Sequence, residues 1–310
     1  MKHSQINVGA VELHVLELGK GPPVLLVHGF PDLAHGWRLQ MEALAAAGYR
    51  AIAPDMRGYG RSSTPDDPLA YSPFHTVGDL VGLLDALEVP TVTVVGHDFG
   101  ASIAWNAALL RPDRFTAVFG VSVPFMPLGA GNFLKSIADA GGTSFYMFDQ
   151  MKPDAAAKWA NAKVTWPSFL YWSSGSPPAG ERWDPRAGND AMVRPAPVAM
   201  PKWANADDVA YSVGEFERNG FAGPLGYYRA IPSFFEQAAA FRGVVVKQPS
   251  FYLVGELDAL NVMRKTTEDD LRPGLPGLRG MLQVPNVGHW PNREVPGIFN
   301  DALLGFLREL

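Results

Sequence analysis

Two hydrophobic patterns alternate along this chain. Short, unbroken apolar runs occur at residues 23–29, 50–55, 91–96, 117–121, 250–254 and 280–284, two of them ending in glycine. Runs of that length suit strands buried on both faces, as in a parallel sheet. Between them lie stretches in which apolar residues recur every three or four positions, at 37–47, 77–87, from Gly100 to before Pro112, and at 296–310. These predict amphipathic helices. Residues 6–18 read as two short strands around the Gly9-Ala10 turn. Strand–helix alternation of this kind predicts an α/β fold with a mostly parallel sheet and right-handed crossovers.

The alternation stops in the middle. Residues 125–237 contain no strand–helix alternation but hold Trp159, Trp166, Trp172, Trp183 and Trp203, five of the eight tryptophans. We expect this segment to be a mainly helical lid inserted into a core built from residues 1–124 and 238–310. Aromatic-rich insertions above the C-terminal edge of a sheet are where ligand clefts form. Within it, residues 173–202 are dense in Pro and Gly and are expected to form an extended loop, shaping either an entrance or an oligomer contact.

Composition narrows the functional classes. The net charge is −5, and neither a Lys/Arg block nor an acidic tail is present, so nucleic acid is not an expected partner. With no cysteine, thiolate catalysis and zinc–cysteine sites are excluded. The seven histidines show no metal-ligand spacing, and neither a metal nor a cofactor is expected. The N-terminus has no apolar signal-like region and no run approaches a membrane span, so the expected location is cytoplasmic. Homodimerisation is left open.

The chemistry enters at Gly96-His97-Asp98-Phe99-Gly100, between a predicted strand and a predicted helix. Small residues on both sides of a central residue allow the tight strand-to-helix turn that presents a nucleophile above the sheet. The alternative for Asp98, a plain helix cap, does not need flanking glycines. A carboxylate is already ionised at neutral pH and can attack an alkyl carbon without a general base, leaving an alkyl ester. That ester must be hydrolysed by activated water, which calls for a histidine and a group to orient it. Asp258, in Gly255-Glu256-Leu257-Asp258, and His289, in Gly288-His289-Trp290, each follow a late strand, and the order nucleophile, acid, histidine is that of this fold. Glu256 is the rival acid. His28 is expected to be structural and His97 to hydrogen-bond locally.

With these motifs in place, the chain resembles the epoxide hydrolases of the α/β-hydrolase fold, the soluble and plant type. The matching stretches are His28-Gly29-Phe30-Pro31-Asp32, Asp55-Met56-Arg57-Gly58-Tyr59-Gly60-Arg61-Ser62, Gly96-His97-Asp98-Phe99-Gly100-Ala101 and Gly288-His289-Trp290. Residues 220–229 are similar to the lid stretch that carries a ring-opening tyrosine, which by that match is Tyr228. A second such tyrosine falls at Tyr146, seven residues before Pro153, although Gln150-Met151-Lys152 departs from the usual intervening sequence. The family often has Trp where Phe99 stands. The resemblance implies that Asp98 opens an epoxide while Tyr146 and Tyr228 protonate its oxygen. It further implies oxyanion donors at the Phe30 and Phe99 backbones, and a pocket formed by Phe30, Pro31, Phe99 and Trp290. The expected partners are then a small apolar epoxide and water.

Two alternatives stay open. Haloalkane and haloacid dehalogenases use the same fold and nucleophile, but Phe30 and Phe99 offer no side-chain donor for a halide, and no arginine follows Asp98 closely enough to clamp a carboxylate. A non-catalytic binding member of the fold is the alternative of another class.

Overall fold

The computed structural model of the chain describes residues 1–129 and 131–310. Eight strands form one sheet: β1 (Lys2–Asn7), β2 (Glu12–Leu18), β3 (Pro23–Val27), β4 (Arg50–Pro54), β5 (Val92–His97), β6 (Phe115–Val121), β7 (Ser250–Gly255) and β8 (Leu278–Val284). Their spatial order is β1-β2-β4-β3-β5-β6-β7-β8. The β1–β2 and β2–β4 pairs are antiparallel, and every other pair is parallel.

The apolar runs are explained by burial on both faces. In β3, Leu25 and Val27 join one hydrophobic cluster, while Val24 and Leu26 join the cluster on the opposite face. This period of two makes each face of a central strand a core face. One face is covered by α1 (Arg38–Ala46) and the C-terminal α14 (Pro296–Arg308), through Met41, Leu44, Phe299, Leu303 and Phe306. The other face packs on α2 (Pro73–Ala86) and α3 (Phe99–Leu110). Helix α2 begins four residues earlier than its apolar spacing predicts. Pro73 occupies the first helical position, where a missing N–H costs nothing and φ is already helical.

Between β6 and β7 no strand occurs among the described residues. The chain instead forms α4 (Phe133–Asp139), α5 (Tyr146–Gln150), α6 (Ala155–Trp159), α7 (Ala162–Ser173), α8 (Gly188–Val193), α9 (Ala206–Asn219) and α10 (Ala222–Gln237). The expected extended loop at 173–202 is therefore interrupted: Asp184 caps a short turn over Pro185–Ala187, and α8 follows directly. Trp159, Trp166, Phe169 and Phe221 from this segment merge with the sheet's hydrophobic cluster. Polar ties join it to the same edge, with Trp166 Nε1 donating to Pro31 O at 2.6 Å and Tyr227 Oη to Arg57 O at 3.0 Å. Three short helices complete the chain after β7: α11 (Ala259–Met263), α12 (Glu268–Leu271) and α13 (Pro291–Glu294). No helix among the described residues is long and apolar enough to cross a membrane.

Candidate active site

The C-terminal ends of β3, β5, β7 and β8 converge on Asp98. The residue lies between β5 and α3 with φ 55° and ψ −120°, a conformation that side-chain-bearing residues rarely adopt. Its neighbours make that turn possible. A Cβ on Gly96 would meet Gly100 O at 2.0 Å, and one on Gly100 would meet Val27 O at 2.0 Å. The small–x–Asp–x–small pattern is thus a steric requirement of strand, helix and adjacent strand passing at backbone distance.

The two oxygens of Asp98 have different environments. The Phe30 N–H donates to Oδ1 at 2.8 Å, whereas Oδ2 faces His289 Nε2 at 3.5 Å. His289 Nδ1 donates to Asp258 Oδ2 at 2.8 Å. Asp258 is fully buried, and its other oxygen accepts the Leu260 N–H at 2.9 Å, which fixes the carboxylate at the start of α11. Glu256 points elsewhere and accepts from Asn286 N at 3.1 Å.

Electrostatics follow from this arrangement. Burial alone would raise the Asp98 pKa. The hydrogen bond and charge of His289, together with the Phe30 N–H, outweigh it and leave Asp98 below the ordinary aspartate value. Burial likewise opposes a charge on His289, but the carboxylates of Asp258 and Asp98 overcome it and raise the pKa to about 10. Burial and the nearby His289 lower His97 to about 4, so its ring stays neutral.

His97 has a longer reach than its sequence position suggests. Its Nε2 donates to the His289 backbone carbonyl at 2.7 Å, and Ser122 Oγ donates to the same oxygen at 3.0 Å. His28 bridges the Gly29 carbonyl and the Met56 N–H, a structural role. Trp290 is fully buried, its indole N–H donating to Ser173 Oγ at 2.7 Å and its ring edge-on to His289.

Across from this edge, the helical segment contributes Tyr146 on α5 and Tyr228 on α10. Their rings meet edge-on at 6.1 Å between centroids, and burial pushes both phenols well above their usual range, so both stay protonated. The Tyr228 ring meets Phe30 and Phe99 edge-on at 5.2 and 4.7 Å between centroids, which places it over both neighbours of the Asp98 carboxylate. A cavity of about 960 Å³ opens beside this cluster, lined by Asp98, Phe99, Tyr146, Trp105, Phe133 and Phe234 among others. That volume is at the upper end for a small-molecule site. Of the expected pocket residues, Phe99 lines this cavity, while Phe30, Pro31 and Trp290 do not.

The family profile for the alpha/beta hydrolase fold matches residues 22–292. An epoxide hydrolase of Caballeronia sordidicola is 50% identical over 309 residues, covering 99% of this chain and 94% of that protein. The chain belongs to the epoxide hydrolases of the α/β-hydrolase fold. Epoxide hydrolase A of Mycobacterium tuberculosis is 35% identical, covering 98% of this chain and 97% of that protein. The structure of an epoxide hydrolase from an endophytic Streptomyces superposes with a TM-score of 0.91 at 37% identity, covering 99% of this chain and 95% of that one. A laboratory-evolved variant of potato epoxide hydrolase gives 0.90 at 33% identity, covering 100% and 99%. Against this family background, the roles of four polar residues escaped the sequence reading: the buried Ser122 and Asp32, Asp32's half-buried partner Arg293, and the half-buried Glu294. None stands in a spacing that marks chemistry, and only the three-dimensional contacts single them out.

Proposed function

We propose that this chain hydrolyses apolar epoxides to vicinal diols in two steps, with residues 125–237 acting as a lid over the core. In the first, Asp98 Oδ2 attacks an epoxide carbon, the C–O bond of the ring breaks, and Tyr146 and Tyr228 supply a proton and a hydrogen bond to the departing oxygen. Donors placed where negative charge develops contribute most in a site that excludes water. The product is an alkyl ester on Asp98. In the second, water attacks Cγ of that ester. His289 takes the water's proton, Asp258 holds the imidazole in the required tautomer, and the oxyanion on Oδ1 is met by the Phe30 and Phe99 N–H groups. The Cγ–Oδ2 bond then breaks, the diol leaves with that oxygen and a proton returned by His289, and the proton on the newly formed Asp98 carboxyl passes back to the tyrosine.

The observation that carries this reading is the division of labour on the Asp98 carboxylate. Oδ1 already sits on a backbone donor and Oδ2 faces His289 and is not held by the backbone. The raised His289 pKa supports the sequence of events. Esterification removes the Asp98 charge, one of the two that keep His289 protonated, so the imidazole can accept a proton only after the ester has formed. The reading of dehalogenase chemistry has less support. The indoles of Trp159, Trp166 and Trp290, which surround Phe30 and His289, already donate to Gln150, Pro31 and Ser173 and are not free to hold a halide.

In this reading the enzyme is cytoplasmic, its partners are epoxide and water, and no nucleic acid or cofactor takes part, since both steps balance with water alone. The test is a panel of apolar epoxides, beginning with styrene oxide, assayed beside haloalkanes and haloacids. Diol formation without halide release is expected. Halide release by a folded protein that leaves every epoxide intact would overturn the assignment.

A further inference from the structure

We infer that Glu294 is a positioning residue that holds the general base: its carboxylate fixes the loop carrying His289 and pins that loop to the helical segment opposite. The inference rests on the two-step reading above. Glu294 lies at the end of α13, half-buried, and its two oxygens collect three backbone donors. Gly288 N lies 3.1 Å from both oxygens, Trp290 N donates to Oε1 at 3.0 Å, and Gly175 N donates to Oε2 at 2.9 Å. Two of the three are the residues immediately flanking His289. The third belongs to the chain just beyond α7, which packs directly on this loop: a Cβ on Gly288 would meet Gly175 N at 2.5 Å.

A plain capping role would be satisfied by the Trp290 N–H alone, at the start of the same short helix. The additional bonds to Gly288 and Gly175 make the carboxylate a bracket around one residue. Further ties act on the same point. The His289 N–H donates to Ser173 O at 2.9 Å, and the His289 carbonyl accepts from His97 and Ser122. The N–H groups of Gly288, His289 and Trp290 and the His289 carbonyl are therefore all held, and Glu294, with the His289–Ser173 bond, ties this loop to the helical segment.

The consequence falls on one step. Ester formation needs Asp98 and the tyrosines, none of which touches Glu294. Ester hydrolysis needs His289 within hydrogen-bond reach of a water aligned on Cγ, and a small misplacement of a base costs rate steeply. Glu294→Gln keeps the shape but replaces one accepting oxygen with an NH2 that faces backbone N–H groups. Glu294→Asp keeps the charge and draws it back by one methylene.

The experiment is rapid-mixing single-turnover kinetics with styrene oxide, following formation and decay of the alkyl-enzyme separately in parent, E294Q and E294D. For E294Q, formation is expected within about twofold of the parent and decay slowed by about tenfold or more, so that the ester accumulates. E294D is expected to fall between the two, with decay slowed by about threefold or more. A loss shared equally by both steps, or no change in either, would overturn the inference. Should E294Q fail to fold, E294D decides alone by the same ratio. If the parent itself forms no alkyl-enzyme, the two-step reading fails; a parent that forms and releases the ester leaves only the variants' ratio to judge Glu294.

Discussion

The two walls of the cleft are built by different physics. On the sheet side, Asp98, Asp258 and His289 sit at strand ends and are fixed by backbone geometry and charged hydrogen bonds, one of them requiring a positive φ. On the helical side, Tyr146 and Tyr228 are held by aromatic packing against Phe30, Phe99 and Trp183 and against each other. A strand end leaves a catalytic atom little freedom, whereas a packed ring can be reshaped by its neighbours. Substitutions on the sheet side should therefore abolish steps, and substitutions on the helical side should scale them or change the substrate.

The most severe break is Asp98→Asn. It removes the attacking carboxylate while keeping its size, and kcat for epoxide opening should fall on the order of 10⁴-fold or more. Retention of a tenth of the parent activity would mean that another group attacks. His289→Gln comes next. It should leave ester formation intact but reduce turnover on the order of 10³-fold, with one equivalent of alkyl-enzyme visible by intact mass. The tyrosines test the other wall: Tyr228→Phe and Tyr146→Phe should each slow ester formation by about 10- to 100-fold, and the double variant by more than either. A double variant no slower than the worse single one would show that only one hydroxyl donates.

Stability against pH sharpens the comparison further. The folded-state pKa of His289 is raised to about 10 from 6.5, so its ion pairs stabilise the fold fully below pH 6.5, and that contribution is lost as pH rises through about 10. Denaturant titrations from pH 6.5 to 10 should show a steeper decline for the parent than for His289→Gln. Smallest of all is Trp166→Phe, which removes the bond to Pro31 O and should cost about 1 kcal/mol of stability while leaving the sheet-side chemistry in place.

The same contrast decides what was legible in the sequence. The sheet side announces itself because steric needs constrain residue type: Gly96 and Gly100 must be small, and the apolar runs must face two cores. The helical side was legible only by resemblance at Tyr146 and Tyr228, since a tyrosine at helical spacing reads equally as packing. Helix α8 was hidden inside a Pro/Gly-rich stretch, because its start depends on the turn capped by Asp184. Ser122 and the Glu294–Gly175 tie were invisible for another reason: the partners are backbone groups more than a hundred residues away, and backbone groups leave no mark on residue type.

The central claim is that Asp98 becomes covalently bonded to the substrate. A single turnover of styrene oxide in water enriched in heavy oxygen, followed by mass analysis of the diol and of the peptide containing Asp98, tests it directly. The account predicts a first diol carrying an unlabelled oxygen from Asp98, with label then appearing in the Asp98 carboxylate. A first diol carrying one heavy oxygen and an unlabelled Asp98 would mean that water opens the ring itself, and the covalent mechanism would be contradicted.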